Sequence, residues 1–447
     1  AGTLALGATL GPASLGGDAG RRSTRAAPGR SDERGALAER TDASLSATWR
    51  PSAVSTVELG VLALDERQRW LAGMYNFSDN LQVSSRLSAE LADEGSRWRV
   101  SAFGSIYDHL SRASSLPQPI RGDTGQRQVQ RLFQGEVAWS RPMQAHVFDA
   151  SLQARHDDTE SVRIPGGRRS LVTLEPAAQF EATLTSRLSV VTGARLSYSG
   201  RWGTHLTPRA ALRFRPMEEM TLRFSVGSGF RAPDFRELYM RFQNPSAGYA
   251  VHGNDDLRPE RSDNATAGAE WSMPGGFLRA QLFHNEFRGF IETRIISEPD
   301  APPVYEYANV DDGFTRGLDI EGAVTAGGLR VDAGYGFLQT RDRTNDVELL
   351  GRPAHTARAS IAHPLPWRVR TSFTGLYTAR TPMLREGGVV TSWRDAYPRL
   401  DARFARPLAR GVELAVNVEN VFDRRPTAWA GYTARQLTMS LSGHDSF

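Results

Sequence analysis

The chain has 447 residues, 54 cationic against 50 acidic side chains for a formal charge of +4, a mean hydropathy of −0.42 and no cysteine. The absence of cysteine excludes a disulfide scaffold and thiol chemistry, and no run reaches the roughly 18 consecutive apolar residues of a transmembrane helix. The charge is dispersed among acids instead of forming a basic stripe, which argues against a nucleic-acid partner. Every lysine-or-arginine cation is an arginine, which reads first as a compositional bias and second as forks that grip carboxylate or phosphate, as on lipopolysaccharide or an anionic ligand. In chain order, Ala1–Leu10 alternates as a strand, and a start at Ala1 without methionine reads as a mature fragment or a processed form. Gly11–Asp42, rich in Gly, Ser, Ala and Arg, reads as a long mobile loop or a disordered stretch.

From Trp49 onward a hairpin rhythm recurs: an aromatic, then Arg-Pro, then a new alternating run. It appears at Trp49-Arg50-Pro51, Trp139-Ser140-Arg141-Pro142, Phe214-Arg215-Pro216 and Phe404-Ala405-Arg406-Pro407. Proline cannot donate to a ladder and marks strand ends. Trp98, Trp271 and Trp367 stand beside similar breaks, where an apolar layer would meet water. Within the runs, Leu81, Val83, Leu87 and Leu91 oppose Gln82, Ser84, Arg86 and Glu90; Leu222, Phe224 and Val226 oppose Arg223 and Ser225; Leu400, Ala402 and Phe404 oppose Arg399, Asp401 and Arg403. Residues two apart share a face of a strand. A one-residue slip would carry each arginine set to the other side, at about 2–4 kcal/mol per arginine in mid-bilayer.

Counting such runs predicts about twenty strands. Short breaks (Asp93–Ser96, Arg215–Glu219, Pro274–Gly276 and others) alternate with long ones at Leu110–Gln130, Phe230–Arg261, Phe290–Asp312, Thr340–Arg352, Thr381–Ala396 and Asp423–Ala434. The expected fold is all-β: a transmembrane antiparallel up-and-down β-barrel of about 20–22 strands, with short periplasmic turns and long extracellular loops, over residues 1–447.

Three boxes bear on family. Phe230-Arg231-Ala232-Pro233 is followed by Asn254-Asp255-Asp256-Leu257-Arg258-Pro259-Glu260, and the third box is Asn417-Val418-Glu419-Asn420-Val421-Phe422-Asp423. Together with Gly351-Arg352-Pro353 they resemble, in order, the FRAP…NPDLKPE and N-x-x-N-L-F-D signatures of TonB-dependent outer-membrane receptors. By their chemistry, Asn254, Asp255 and Asp256 suit turn capping, and Arg231 and Glu260 suit an ion pair. The resemblance implies a bacterial outer-membrane location, outer-membrane lipid and lipopolysaccharide as surroundings, and the barrel-assembly machinery as a partner that reads a terminal aromatic, here Phe447. Family members also carry an N-terminal plug. None is expected in this chain, so the TonB complex is a partner only where a plug is present in the parent protein.

The implied activity is uptake of an iron complex (siderophore or haem) or a similar scarce nutrient; cobalamin stays open. Haem or iron-siderophore enters only as cargo, with no resident cofactor. His252 reads first as a loop histidine that tops a strand; it also stands between the boxes, where haem receptors of the family place an iron-binding histidine, and neutral imidazole suits haem iron. Tyr249, Arg236, Arg241 and Phe242 could equally stack on and pair with an anionic siderophore. No metal-ligand spacing occurs, and no Gly-x-Ser-x-Gly or catalytic set, so no enzyme is expected. The rival is a passive porin-like channel, which explains the alternation and leaves the boxes unexplained.

Overall fold

The computed structural model describes residues 2–25, 37–72, 74–118, 126–244, 248–298, 300–386, 388–409, 412–424 and 436–443. The alternating runs pair as hairpins closed at one rim. These are β1 (Gly2–Leu10) with β2 (Ala13–Arg25), β3 (Leu37–Ser52) with β4 (Ser55–Ala72), and β5 (Met74–Asp93) with β6 (Ser96–Ser114). Next come β7 (Arg127–Met143) with β8 (His146–Ser161), β9 (Arg168–Thr185) with β10 (Leu188–Ser199), and β11 (Gly203–Met217) with β12 (Met220–Arg231). The chain then leaves the wall for helix α1 (Phe235–Tyr239) and a small hairpin, β13 (Arg241–Asn244) with β14 (Tyr249–His252). It returns as β15 (Glu260–Met273) with β16 (Gly276–Ile295), β17 (Val304–Ala326) with β18 (Leu329–Asp342), and β19 (His355–Leu365) with β20 (Val369–Thr378). A second small hairpin, β21 (Thr381–Glu386) with β22 (Val389–Arg394), precedes β23 (Tyr397–Ala409), β24 (Val412–Glu419) and β25 (Gln436–Gly443).

The main sheet has 23 described strands; β13 and β14 join it through a parallel pairing of β14 with the start of β17, and the other 21 form the wall, each antiparallel to the next. This agrees with the expected number. Turn chemistry sets the tight rim. Between β5 and β6, Gly95 takes φ +83°, a conformation that favours glycine, while Glu94 N–H donates to Asp93 Oδ1 at 2.7 Å. Between β19 and β20 the turn Pro366–Arg368 holds Trp367 outward, 81% exposed. Trp98 and Trp139 lie side by side at this rim, ring centroids 5.9 Å apart, as an interfacial aromatic belt requires.

The parity expected from the sequence holds. Leu81, Val83, Leu87 and Leu91 are 42–49% exposed on the outer face, the placement expected of an apolar set that faces lipid. Arg86, Arg195, Arg223 and Arg403 take the opposite parity. That face is concave: one cavity is lined by Arg97 of β6, Arg195 of β10 and Gly229 of β12, which only a curved wall brings together. Along it, arginines are matched by carboxylates. Arg99 bonds Glu90 at 2.6 Å, Arg223 and Arg279 share Glu270 at 3.1 Å each, and Arg403 bonds Glu413 at 3.0 Å while Arg370 pairs with the same carboxylate.

Several expectations need correction. Residues 13–25 and 37–42, read as part of a mobile loop, are strand, with Gly16 opposite Ser46 and Ala19 opposite Ala43; residues 26–36 lie outside the described set. Backbone pairing tolerates the small side chains whose composition suggested a loop. The break at 290–312 is mostly strand, since β16 runs to Ile295 and β17 begins at Val304. The break at 110–130 likewise narrows between Ser114 and Arg127. These ladders continue into water, where no apolar alternation is needed to hold them. Asp157 and Asp158 lie within β8, and Asp158 is held by Arg131 at 2.8 Å and Arg168 at 2.6 Å. Residues 425–435 and Phe447 lie outside the described residues.

Candidate functional site: a chamber beneath the motif lobe

The segment between β12 and β15 folds back as a compact lobe, and its residues explain why. Asp234 caps α1: Glu237 N–H donates to Asp234 Oδ1, and Asp234 N–H donates to Glu237 Oε2, both at 2.8 Å, a capping box. Arg231 then binds two carboxylates. Its Nε and Nη2 donate to Glu260 at 2.5 and 2.6 Å, and Nη1 donates to Glu237 at 3.0 Å. The expected Arg231–Glu260 pair is therefore one half of a hub that ties α1 to the strand ends. Leu238, Leu257 and Ile291 form a small buried core, with Trp202, Tyr239 and Tyr307 against it. Asn254 Oδ1 accepts from Asp256 N–H at 2.9 Å, and its Nδ2 donates to the Tyr307 carbonyl at 3.0 Å. Asp255 pairs with Arg201 at 2.6 Å. Arg258 N–H donates to Asn309 Oδ1 at 2.9 Å, between Leu257 and Pro259. Ala232 and Pro233 carry the chain off β12, since the wall strand stops at Arg231.

Gly253 is where the lobe closes most tightly. A Cβ there would stand 2.5 Å from Tyr239 N and 2.6 Å from Met240 N, both backbone atoms. Gly253→Ala is expected to open the lobe locally at a cost of about 1–3 kcal/mol. Hydrogen exchange at 235–258 checks this, with the wall strands as an internal reference.

Below the lobe lies a chamber of about 670 Å3, bounded by Tyr107 of β6, Gln130 of β7, Arg155 of β8, Arg163 of the turn after β8, and Phe235 and Arg236 of α1. Tyr107 and Arg155 have the inward parity. Arg163 is the distinctive group. It is half-buried, its Nε donates to Gln126 at 2.6 Å, and its guanidinium stacks on Phe242, 4.7 Å from the ring centroid. Burial lowers its pKa from the usual guanidinium value, and among the described residues no carboxylate pairs with it. An anion entering the chamber would supply the missing partner.

Of the five ligand-contact candidates, only Arg236 lines the chamber. Phe242 packs edge-on against Tyr249 at 6.0 Å, and Tyr249 against Tyr305 at 6.1 Å, so both rings support the lobe. Arg241 is exposed, with its backbone N–H on the Arg163 carbonyl at 2.8 Å. His252 is half-buried at the end of β14, opposite Arg241 and beside Glu306 of β17. No group of three or more His, Asp or Glu side chains poised for a metal ion occurs among the described residues. Sequence reasoning missed Arg163, Tyr107 and Arg155. The signal for Arg163 was its place before Ile164-Pro165-Gly166-Gly167, a turn sequence that holds a side chain against the strand ends.

The third box is a second knot. Asn420 is fully buried at φ +51° and bonds both ways with the Arg424 backbone at 3.0 and 3.1 Å. Asp423 N–H donates to the Asn420 carbonyl at 2.8 Å, while Phe422 is 62% exposed.

The family model for the β-barrel described as "TonB dependent receptor-like" matches residues 5–421. The "Iron-regulated outer membrane virulence protein" of Vibrio cholerae is 25% identical over 307 residues, 63% of this chain and 46% of that protein. "Vitamin B12 transporter BtuB" of Photobacterium profundum is 23% identical over 239 residues, 53% of this chain and 37% of that one. This chain thus spans less than half the length of these curated relatives. The siderophore receptor PirA of Acinetobacter baumannii superposes with a TM-score of 0.80 at 12% identity, over 94% of this chain and 73% of that one.

Proposed function

Since the chain belongs to the TonB-dependent receptor-like β-barrel family, we propose that it forms the wall and upper binding chamber of an importer in the bacterial outer membrane. The cargo is an anionic iron complex, a siderophore before haem. The observation that carries this is the chamber under the motif lobe, where Arg163 has no carboxylate partner among the described residues and Arg236 faces the same space. The names of its relatives and structural neighbours, spanning iron regulation, vitamin B12 and siderophores, support a scarce-nutrient cargo. The Phe230–Glu260 boxes that build the lobe, and the family match that includes them, support a receptor over a passive porin-like channel, which leaves the boxes unexplained. Coupling to TonB requires a plug joined to this barrel. Contacts with lipopolysaccharide and the barrel-assembly machinery follow from the same outer-membrane setting.

The test is equilibrium binding of a ferric catecholate siderophore, haem and cobalamin to the reconstituted chain. Replacing Arg163 and Arg236 by glutamine is expected to weaken siderophore binding roughly 10–100-fold, the scale of losing a charge-assisted hydrogen bond or two. Siderophore binding that ignores both arginines would remove the chamber reading. A haem affinity that falls with His252→Ala while siderophore binding is absent would transfer the assignment to haem.

A further inference from the structure

The concave wall changes character where it reaches the chamber. Nearer the tight rim, the inward carboxamides are bonded: Gln134 Nε2 donates to Gln153 at 3.3 Å, Gln153 Nε2 to Glu175 at 3.1 Å, and Gln179 Nε2 to Asp149 at 3.5 Å. At chamber level the register sets polar side chains in rows, with no arginine, aspartate or glutamate among them. Gln82 of β5, Tyr107 of β6, Gln130 of β7 and Thr159 of β8 stand level. Asn80, His109 and Gln128 form the next row up. Residues paired in this way share a face, and four strands at the usual spacing make a patch roughly 14 Å wide.

Within the patch, Asn80 is engaged: its Oδ1 accepts from Tyr107 Oη at 2.9 Å and lies 2.6 Å from His109 Nδ1. Gln82, Gln128 and Gln130 are not. All three line the chamber, and their carboxamides have no hydrogen-bond partner among the described residues. Each offers two N–H donors and one carbonyl acceptor, which is the complement of another amide. The opposite side of the same space holds Arg163 and Arg236, whose forks require negative charge. A ligand that satisfies both sides carries an anionic part and a set of amides.

We propose that Gln82, Gln128 and Gln130 read carboxamides of the cargo, an anionic iron complex whose chelating groups are carried on amide links. This deepens the chamber reading and rests on it. Haem brings carboxylates and an apolar edge but no amide. A polycarboxylate chelate satisfies the arginines and leaves the glutamines on water. A neutral sugar satisfies the glutamines and leaves Arg163 without a counter-charge.

The experiment is equilibrium binding to the full chain of two ferric tris-catecholates of equal charge, one with its arms joined through carboxamides and one with all-carbon links. The parent is expected to bind the amide-linked complex roughly tenfold more tightly, the scale of two net hydrogen bonds. The double variant Gln82→Leu/Gln130→Leu, with side chains of similar size, should bind the two complexes alike, and heat-modifiable gel migration verifies that it is folded. Arg163→Gln should weaken both complexes by the same factor and leave the amide preference in place. Equal affinity of the parent for the two complexes overturns the proposal, as does a preference that survives in the double variant. If Arg163→Gln still weakens both in that case, the chamber reading stands and the amide assignment alone falls. Binding of neither complex removes the chamber reading and the amide assignment with it. Cobalamin separates a second source of amides, since its corrin is edged with carboxamides. Cobalamin binding that falls in the double variant and ignores Arg163→Gln would keep the amide assignment and remove the anionic cargo.

Discussion

Arg231→Ala is expected to release the motif lobe while leaving the barrel intact. The residue neutralises Glu237, which is 7% exposed, and Glu260 at the same time. Removing one member of a buried pair costs about 3–5 kcal/mol because the remaining charge is stranded. Here Arg231 itself is 45% exposed, so water relieves part of the penalty, and about 2 kcal/mol is the expected size after screening. That corresponds to roughly a 30-fold loss of amide protection, confined to α1 and the β13–β14 hairpin. Hydrogen exchange is the measurement, with β5 and β6 as references. Protection of α1 equal to the parent's would show that the small core around Leu238 holds the lobe without the hub. Ligand affinity should fall with protection, since Phe235 and Arg236 lose their position over the chamber.

The second large effect concerns the wall. Leu87 sits near mid-band on the outer face, 48% exposed, and its neighbour Ser88 points to the concave side. Leu87→Arg is expected to destabilise the barrel in lipid vesicles by about 2–4 kcal/mol. Ser88→Arg, one residue away and of the same chemistry, should stay within about 0.5 kcal/mol. Denaturant titrations of the vesicle-folded variants make the comparison. Equal costs for the two would mean that the faces have been assigned wrongly.

The wall was legible in the sequence because a period of two is local: Leu81 through Leu91 announce their face without knowledge of their partners. The aromatic-Arg-Pro rhythm located the tight rim for the same reason. Legibility failed where burial no longer dictates residue type. Ala13–Arg25 pairs through backbone alone, with glycine and serine where bulk would have given the strand away, and β16 and β17 extend past the band as polar ladders. The chamber was hidden by distance along the chain. Tyr107, Arg155 and Arg163 meet Arg236 only because β6, β8 and a turn curve beneath a lobe made much later in the sequence. Phe242 and Tyr249 suit ligand contact or lobe packing, because aromatic side chains in a long loop serve either role; in the structure they pack edge to face with each other within the lobe. The motif boxes were found as signatures, and their turn capping and the Arg231–Glu260 pair were legible from residue type; the capping box on α1, the second carboxylate of the hub and the two-way Asn420 bond became visible only in three dimensions.

The ladder of Arg99–Glu90, Arg223–Glu270–Arg279 and Arg403–Glu413 on the concave wall bears on passage through the protein. Each fork's field is cancelled within a few ångströms by its own counter-charge, and physiological salt damps the remainder over about 8 Å. On the proposed reading, a solute in this bore would meet a chequerboard of alternating signs, and charge selection would fall to the vestibule around Arg163.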